Sequence, residues 1–187
     1  MQNLSLFNQQ ILKEIRSSLE QVDSKDIDNL IEALINAKRI FLAGAGRSLL
    51  MVKCFGMRLM HLGFTVYIVG EVTTPAIIPG DLLVIASGSG ETGSMINIAK
   101  KAQDLSIKII LITTKLHSTI ASLVKHSVII PISCLENDSK MNISSVQPGA
   151  SLFEQCLLIV FDSIILSYIN DQKRDHTGIM LLHANLE

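Results

Sequence analysis

Apolar residues recur along this chain in two alternating rhythms. Leu4, Phe7, Ile11, Ile15 and Leu19 fall three or four apart, the spacing of an amphipathic helix over Leu4 to Leu19. Ile27, Leu30, Ile31, Leu34 and Ile35 repeat it over Ser24 to Ala37. The pattern then changes. Arg39 to Ala43 (RIFLA) is a short run, apolar after its arginine, of the kind that forms a buried strand, and similar runs lie at Thr65 to Val69, from Leu82, at Lys108 to Thr113 and at Ser127 to Ile132. Helical spacing returns between them, at Leu49 to His61, Met95 to Gln103 and, briefly, Ser118 to Val124. Strands alternating with helices at these intervals predict right-handed crossovers and a parallel five-stranded sheet with helices on both faces. The connection GEVTTPAIIPGD holds two prolines and is expected to be extended and stiff. Glu136 to Gln147 is polar and unpatterned, a loop over the sheet's edge or the site. From Ser151 a long apolar helix follows, and after Asn170 a polar turn leads to LLHANLE. The expected layout is one α/β domain over 1–187, with helices over 1–37, the sheet core over 38–133 and C-terminal helices over 148–187.

The stretch LLVIASGSGETGS, Leu82 to Ser94, is where chemistry enters. An apolar strand stops in alternating serine and glycine: Ser87, Ser89 and Thr92 offer hydroxyls, while Gly88, Gly90 and Gly93 are expected to let the backbone turn with φ > 0 and expose its N–H groups. A helix opens immediately afterwards, and its N-terminal dipole favours an anion. The competing reading is a polar strand-to-helix turn with Thr92 or Ser94 as a simple N-cap. The turn has neither G-x-G-x-x-G nor a Gly-Lys-Ser/Thr ending, so it is not a dinucleotide fingerprint or a P-loop. A second glycine turn, GAGRS, follows the first strand and also leads into a helix.

Composition narrows the partners. Of 187 residues, 48% are apolar, ample for a single core, and a net charge of -1 with few aromatics gives nothing to hold a nucleic acid or an anionic membrane. Cys54, Cys134 and Cys156 are odd in number and irregularly spaced, which fits reduced cysteines in a cytoplasmic protein and lacks metal-site spacing. The N-terminus has no basic segment followed by an apolar core, so no secretion signal is expected. Cys156 to Ile169 is apolar enough to suggest a membrane span, but it falls short of the ~20 residues required and holds Asp162 near its middle. A core or interface helix is the better reading. Because Leu152 to Ile169 is apolar on nearly every face, more than one domain has room to bury, a homo-oligomer is expected, most simply a tetramer.

Individual residues admit two readings each. Arg47, beside Ser48, either meets a phosphate or polarises a carbonyl, or is a solvated arginine on a helix's first turn, where the dipole disfavours it. Ser151-Leu152-Phe153-Glu154 matches a capping box, so Glu154 is either a cap partner or a proton-transferring carboxylate. His61 suits a dipole-compensating cap at a helix end, and His183 is an isolated histidine near the terminus.

Taken in order, GAGRS, MRLMHLGF, VYIVGEVTTPAIIPGDLLVIASGSGET, VQPGASLFEQ and HANLE resemble the SIS (sugar isomerase) fold and, within it, the 6-phospho-3-hexuloisomerase family, from about Ile40 to Glu187. SGSGET alone marks only the wider phosphosugar-binding class; MRLMHLG, GE-x-x-TPA, SLFEQ and HANLE are the specific part. The resemblance implies a flavodoxin-like three-layer sandwich and an enzyme that interconverts hex-3-ulose 6-phosphate and fructose 6-phosphate in the ribulose monophosphate route of formaldehyde fixation, with hexulose-6-phosphate synthase as functional partner. It implies that Ser48, Ser87, Ser89 and Thr92 hold the phosphate, together with Gly46, Arg47, Gly88 and Gly90 of the two turns. Glu154 becomes the base. His183, in a helix that in this family docks on a neighbouring subunit, assists at a sugar oxygen; His61, Glu71, Thr74 and Gln147 are further candidates. Three departures, Leu49 for a glycine, Leu182 for a basic residue and Gln147-Pro148-Gly149-Ala150 for QPMG, leave these polar groups intact.

Moving a carbonyl from C3 to C2 needs a base for the C2 proton, a donor to the enediolate oxygens, and return of the proton to C3. No cofactor, metal or covalent nucleophile is called for. Two alternatives stand beside this one. An arabinose 5-phosphate type of SIS isomerase is expected to carry a histidine in the loop before Gly80-Asp81, which holds none. A phosphosugar-sensing regulator is expected to carry a basic helix-turn-helix module ahead of the first strand, where this chain has too little basic sequence.

Overall fold

The computed structural model describes residues 4–132, 145–171, 182, 183 and 185. Five strands, β1 (Ile40–Gly44), β2 (Val66–Ile68), β3 (Leu82–Ala86), β4 (Lys108–Thr113) and β5 (His126–Ile129), form one parallel sheet in the order β2-β1-β3-β4-β5. The helices are α1 (Leu4–Leu19), α2 (Ser24–Asn36), α3 (Gly46–His61), α4 (Gly93–Asp104) and α5 (Ser151–Asp171). The predicted α/β architecture is the one observed. The short helix expected at Ser118 to Val124 is reduced to a 3₁₀ turn, Ala121–Leu123, and α3 begins three residues earlier than its apolar spacing suggested, with Gly46, Arg47 and Ser48 in its first turn. The loop expected over 136–147 lies outside the described residues as far as 144, as does Cys134.

Strand alternation sorts the core into two layers. Ile40, Leu42, Leu82, Val84, Ile110 and Ile112 face α1, α2, α3 and α5, while Phe41, Ala43, Leu83, Ile85, Ile109 and Leu111 face Met95, Ala99 and Ala102 of α4. Both faces are covered, so the strands read as unbroken apolar runs rather than alternating ones. The strand residues named here are under a tenth exposed, whereas β2 at the sheet's edge is only half-buried.

The crowded layer accounts for most of the apolar surface of α5. α5 runs between α1, α2 and α3, and the Phe55 and Phe161 rings stack with centroids 4.1 Å apart, so most of its apolar circumference is met within one chain. It is the one described helix long and apolar enough to cross a bilayer, yet it is the central core helix. Its Cys156 thiol is fully buried, and burial pushes it up to about 11, an inert side chain. Apolar side chains left exposed by one chain include Ile159 and Leu166 of α5 itself, Leu4, Leu6 and Leu12 of α1, and Leu50, Met57 and Met60 along one face of α3.

The base of the sheet is fixed by a buried ion pair. Asp81 accepts from Arg39 Nε at 3.0 Å and from the Ile78 N–H at 2.9 Å, while Arg39 Nη2 also holds the Ala76 carbonyl at 3.0 Å. These bonds tie the two-proline connection, which turns at Glu71–Thr74 and again at Ile78–Asp81, to the start of β1. Burial alone would raise the Asp81 pKa, but the hydrogen bonds from Arg39 and Ile78 and the charges of Arg39 and Lys38 outweigh it and hold the carboxyl below its ordinary value. A depressed carboxylate contributes stability above its unfolded pKa that is lost as pH falls through the folded one. Asp81→Asn is therefore expected to lower the unfolding free energy by ~2 kcal/mol at pH 7, with the gap to wild type narrowing below about pH 4. Urea melts across pH 3 to 7 check this; a gap that stays constant with pH refutes it.

Candidate active site

β1 and β3 are adjacent and in register, with Gly44 opposite Ala86, so the two glycine turns leave the sheet side by side. The helices they open go to opposite faces, α3 to one layer and α4 to the other. This is where the winding direction reverses, the place at which open parallel sheets leave a crevice beyond the strands' carboxyl ends.

The SGSGET turn is held from behind. The Gly88 carbonyl accepts from the Thr114 N–H at 3.0 Å and from both threonine hydroxyls, Thr113 at 3.0 Å and Thr114 at 2.8 Å, and Glu91 is pinned to Thr119 by its N–H at 2.7 Å and its hydroxyl at 2.6 Å. Only Gly90 of the three glycines has positive φ, +66°, and a Cβ there would collide with Ser118. Gly88 is required for a different reason: a Cβ would press on the Phe153 ring at 3.0 Å. Gly93 has an ordinary φ and open space around it, which corrects the expectation of a left-handed turn there. Thr92 occupies the N-cap position of α4 without capping it; its hydroxyl lies 3.2 Å from that of buried Ser87. The hydroxyls are thus paired with each other, and the simple-cap reading is set aside. Ser89 accepts from the Glu91 N–H at 3.1 Å.

In the other turn Gly46 takes φ +55°, and Ala45 at the N-cap of α3 offers no side chain to its first N–H groups. Ser48 is buried in that first turn, and Arg47 is half-exposed. Arg47 reaches across to the start of α5: Nη1 donates to Ser151 Oγ at 2.7 Å, and Nε lies 3.0 Å from Glu154 Oε2. The capping box does not form. Ser151 donates its hydroxyl to the Pro148 carbonyl, and the Glu154 N–H goes to Ala150. Glu154 is 7% exposed, and although Nε is within ion-pair distance it is not aligned as a hydrogen bond, so among the described residues Oε2 is a buried acceptor with no hydrogen-bond donor. Leaving a buried oxygen so costs about 1–3 kcal/mol, which a helix cap does not require and a proton acceptor does.

Two clefts open beside these groups. One, of about 640 Å³, is lined by Gly88, Ser89, Lys115, Gln147, Gly149 and Phe153; the other, of about 360 Å³, by Arg47, Gln147, Ser151 and Gln155. Gln147 belongs to both. Its amide Nε2 donates at 3.0 Å to Glu14 of α1, a buried carboxylate that also accepts from Ser145 Oγ at 2.6 Å and the Val146 N–H at 2.9 Å.

Other candidates lie elsewhere. His61 and His183 stack with ring centroids 5.1 Å apart at the far end of α3 from Arg47, about 21 Å away at 1.5 Å per residue. Within one chain Glu154 and His183 are therefore not brought together. Burial, then His183, then Arg58 push the His61 pKa down, which disfavours the charged ring a dipole-compensating cap would need. Glu71 pairs with Lys53 at 2.6 Å on the surface, and Thr74 donates to the Ile68 carbonyl at 2.6 Å, shaping the turn after β2. Glu14, Thr113, Thr114 and Lys115 were not legible beforehand. Thr113, Thr114 and Lys115 end a strand at its carboxyl edge, a usable signal; Glu14 sits in a helix far from any motif.

The SIS domain family profile matches residues 33–158. The 3-hexulose-6-phosphate isomerase of Bacillus subtilis is 40% identical over 95% of this chain and 96% of its own length, and that of Mycobacterium gastri 38% identical over 99% and 90%. A Methanococcus jannaschii crystal structure, from which a molecular function of 3-hexulose-6-phosphate isomerase was inferred, superposes with a TM-score of 0.80 at 34% identity and full coverage of both chains. With the fold, the paired glycine turns and these relatives in agreement, the chain belongs to the SIS-domain family and is a phosphosugar isomerase of its 3-hexulose-6-phosphate isomerase branch.

Proposed function

We propose that this chain, as a single SIS domain, converts D-arabino-hex-3-ulose 6-phosphate to fructose 6-phosphate through an enediolate, in the cytoplasm and downstream of hexulose-6-phosphate synthase in the ribulose monophosphate route. The observation that carries the reading is the buried Glu154 carboxylate, ion-paired with Arg47 yet with no hydrogen-bond donor to Oε2 among the described residues, near a hydroxyl cradle. The phosphate sits between the turns, on the hydroxyls of Ser48, Ser87, Ser89 and Thr92 and the backbone of Gly46, Gly88 and Gly90, with Lys115 as a nearby cation. Glu154 removes the C2 proton, the C3 oxygen takes up the developing charge and a proton, the O2 hydroxyl loses its own, and Glu154 returns its proton to C3. Arg47 orients the carboxylate and faces the developing enediolate charge.

His183 enters from a neighbouring subunit, since in its own chain it lies a helix length from Glu154. The exposed stripe Leu50, Met57 and Met60 on α3 supports such an assembly, a homotetramer. Sedimentation at micromolar concentration is expected to show an oligomer; a 20 kDa monomer refutes it. Mixed oligomers of Glu154→Gln and His183→Ala chains are expected to regain activity that neither variant has alone, and no recovery on mixing would place His183 outside the site.

Glu154→Gln separates binding from turnover. The variant is expected to fold, to bind fructose 6-phosphate and to lose ~10² to 10⁴ in kcat. Retention of more than about a third of the wild-type kcat, well under 1 kcat-decade and under 1 kcal/mol in the barrier, would end Glu154's candidacy as base. Turnover is also expected to persist in a chelator, because proton transfer by a carboxylate needs no metal; loss restored by a divalent ion refutes this.

A further inference from the structure

Glu14 is a buried anion whose described partners are all donors from one short segment, Ser145-Val146-Gln147, more than 130 positions away in sequence. Both carboxylate oxygens are used: Oε2 takes the Ser145 hydroxyl and the Gln147 amide, and Oε1 takes the Val146 N–H. Ser145 Oγ in turn accepts from the Gln147 N–H at 3.0 Å, closing a compact knot. Burial alone would raise the Glu14 pKa, but these three bonds outweigh it and keep the group charged.

A carboxylate can only accept, so it fixes which end of the Gln147 amide faces it. Nε2 must point to Glu14, and Oε1 is left as the amide's other end, an acceptor not used by Glu14. Gln147 lines both clefts, between the Ser89 side and the Arg47–Ser151 side. An acceptor there repels a phosphate and receives a hydroxyl.

We propose that Glu14 is a positioning residue that locks the Gln147 amide so that its carbonyl oxygen receives a hydroxyl of the sugar chain, between the phosphate cradle and Glu154. This rests on the phosphosugar reading above and assigns the recognition of the polyol to Gln147. A rival account makes Glu14 only a strut docking α1.

The two accounts diverge in binding. Glu14→Gln and Gln147→Ala are each expected to raise the KM for hex-3-ulose 6-phosphate and the Kd for fructose 6-phosphate about tenfold, with kcat of Glu14→Gln within about threefold of wild type. The Kd of inorganic phosphate, measured by competition, should be unchanged in both. The double variant should be no weaker than the weaker single, because the two residues act through one contact. Equal weakening of phosphate and fructose 6-phosphate, additive losses, or a Glu14→Gln variant that melts earlier with an unaltered ratio of the two Kd values would each overturn the proposal. If Glu14→Gln does not fold, Gln147→Ala decides alone by the same ratio. A wild-type protein that binds fructose 6-phosphate but does not isomerise the hexulose defeats the proposed reaction and leaves the positioning test standing; one that binds neither defeats both.

Discussion

Everything at the site depends on the pairing of β1 with β3. Two parallel strands in register, Gly44 beside Ala86, must release their chains at the same edge, and each then turns into a helix. α3 and α4 depart to opposite faces, which leaves a crevice between the turns. A concentration of unsatisfied N–H groups and short hydroxyls is thereby fixed by backbone geometry alone, independent of which residue later does chemistry there.

The second constraint is imposed by α5. Its first turn arrives beside the first turn of α3, and Arg47 spans the two helices, donating to Ser151 and facing Glu154. At that place the dipole of α3 opposes a cation, and the facing Glu154 carboxylate, itself favoured by the dipole of α5, offsets that penalty. The same turn of α5 presses Phe153 on Gly88, so the helix that carries the carboxylate also sets the floor under the cradle. The Glu154 carboxylate and the SGSGET turn are therefore positioned by one helix.

Much of this was legible in the amino-acid order. The apolar runs gave the buried strands, and glycine directly after them gave the turns, because few other residues allow the chain to leave a strand at +66° or beneath an aromatic ring. What was hidden follows from non-local contact. The Ser151–Glu154 spacing fits a capping box in any helix, and only Arg47, a hundred positions earlier, draws the serine away from that role. The apolar circumference of α5 admitted a core or an interface, because a sequence shows how much surface is greasy and not how many neighbours will arrive. The anchoring of Gln147 by Glu14 has no short-range pattern at all.

Those long spans bear on how the protein comes into being. Arg47 waits for Ser151, and Glu14 for Gln147, so on a growing chain the cradle can be complete while the carboxylate that faces it has not yet been synthesised. Loops of this length close slowly, and until α5 arrives the greasy sides of α1, α2 and α3 have no roof. The interval between making the sheet and seating α5 is the period of greatest exposure to misassembly and to chaperones, and catalytic competence is acquired in that last step rather than gradually.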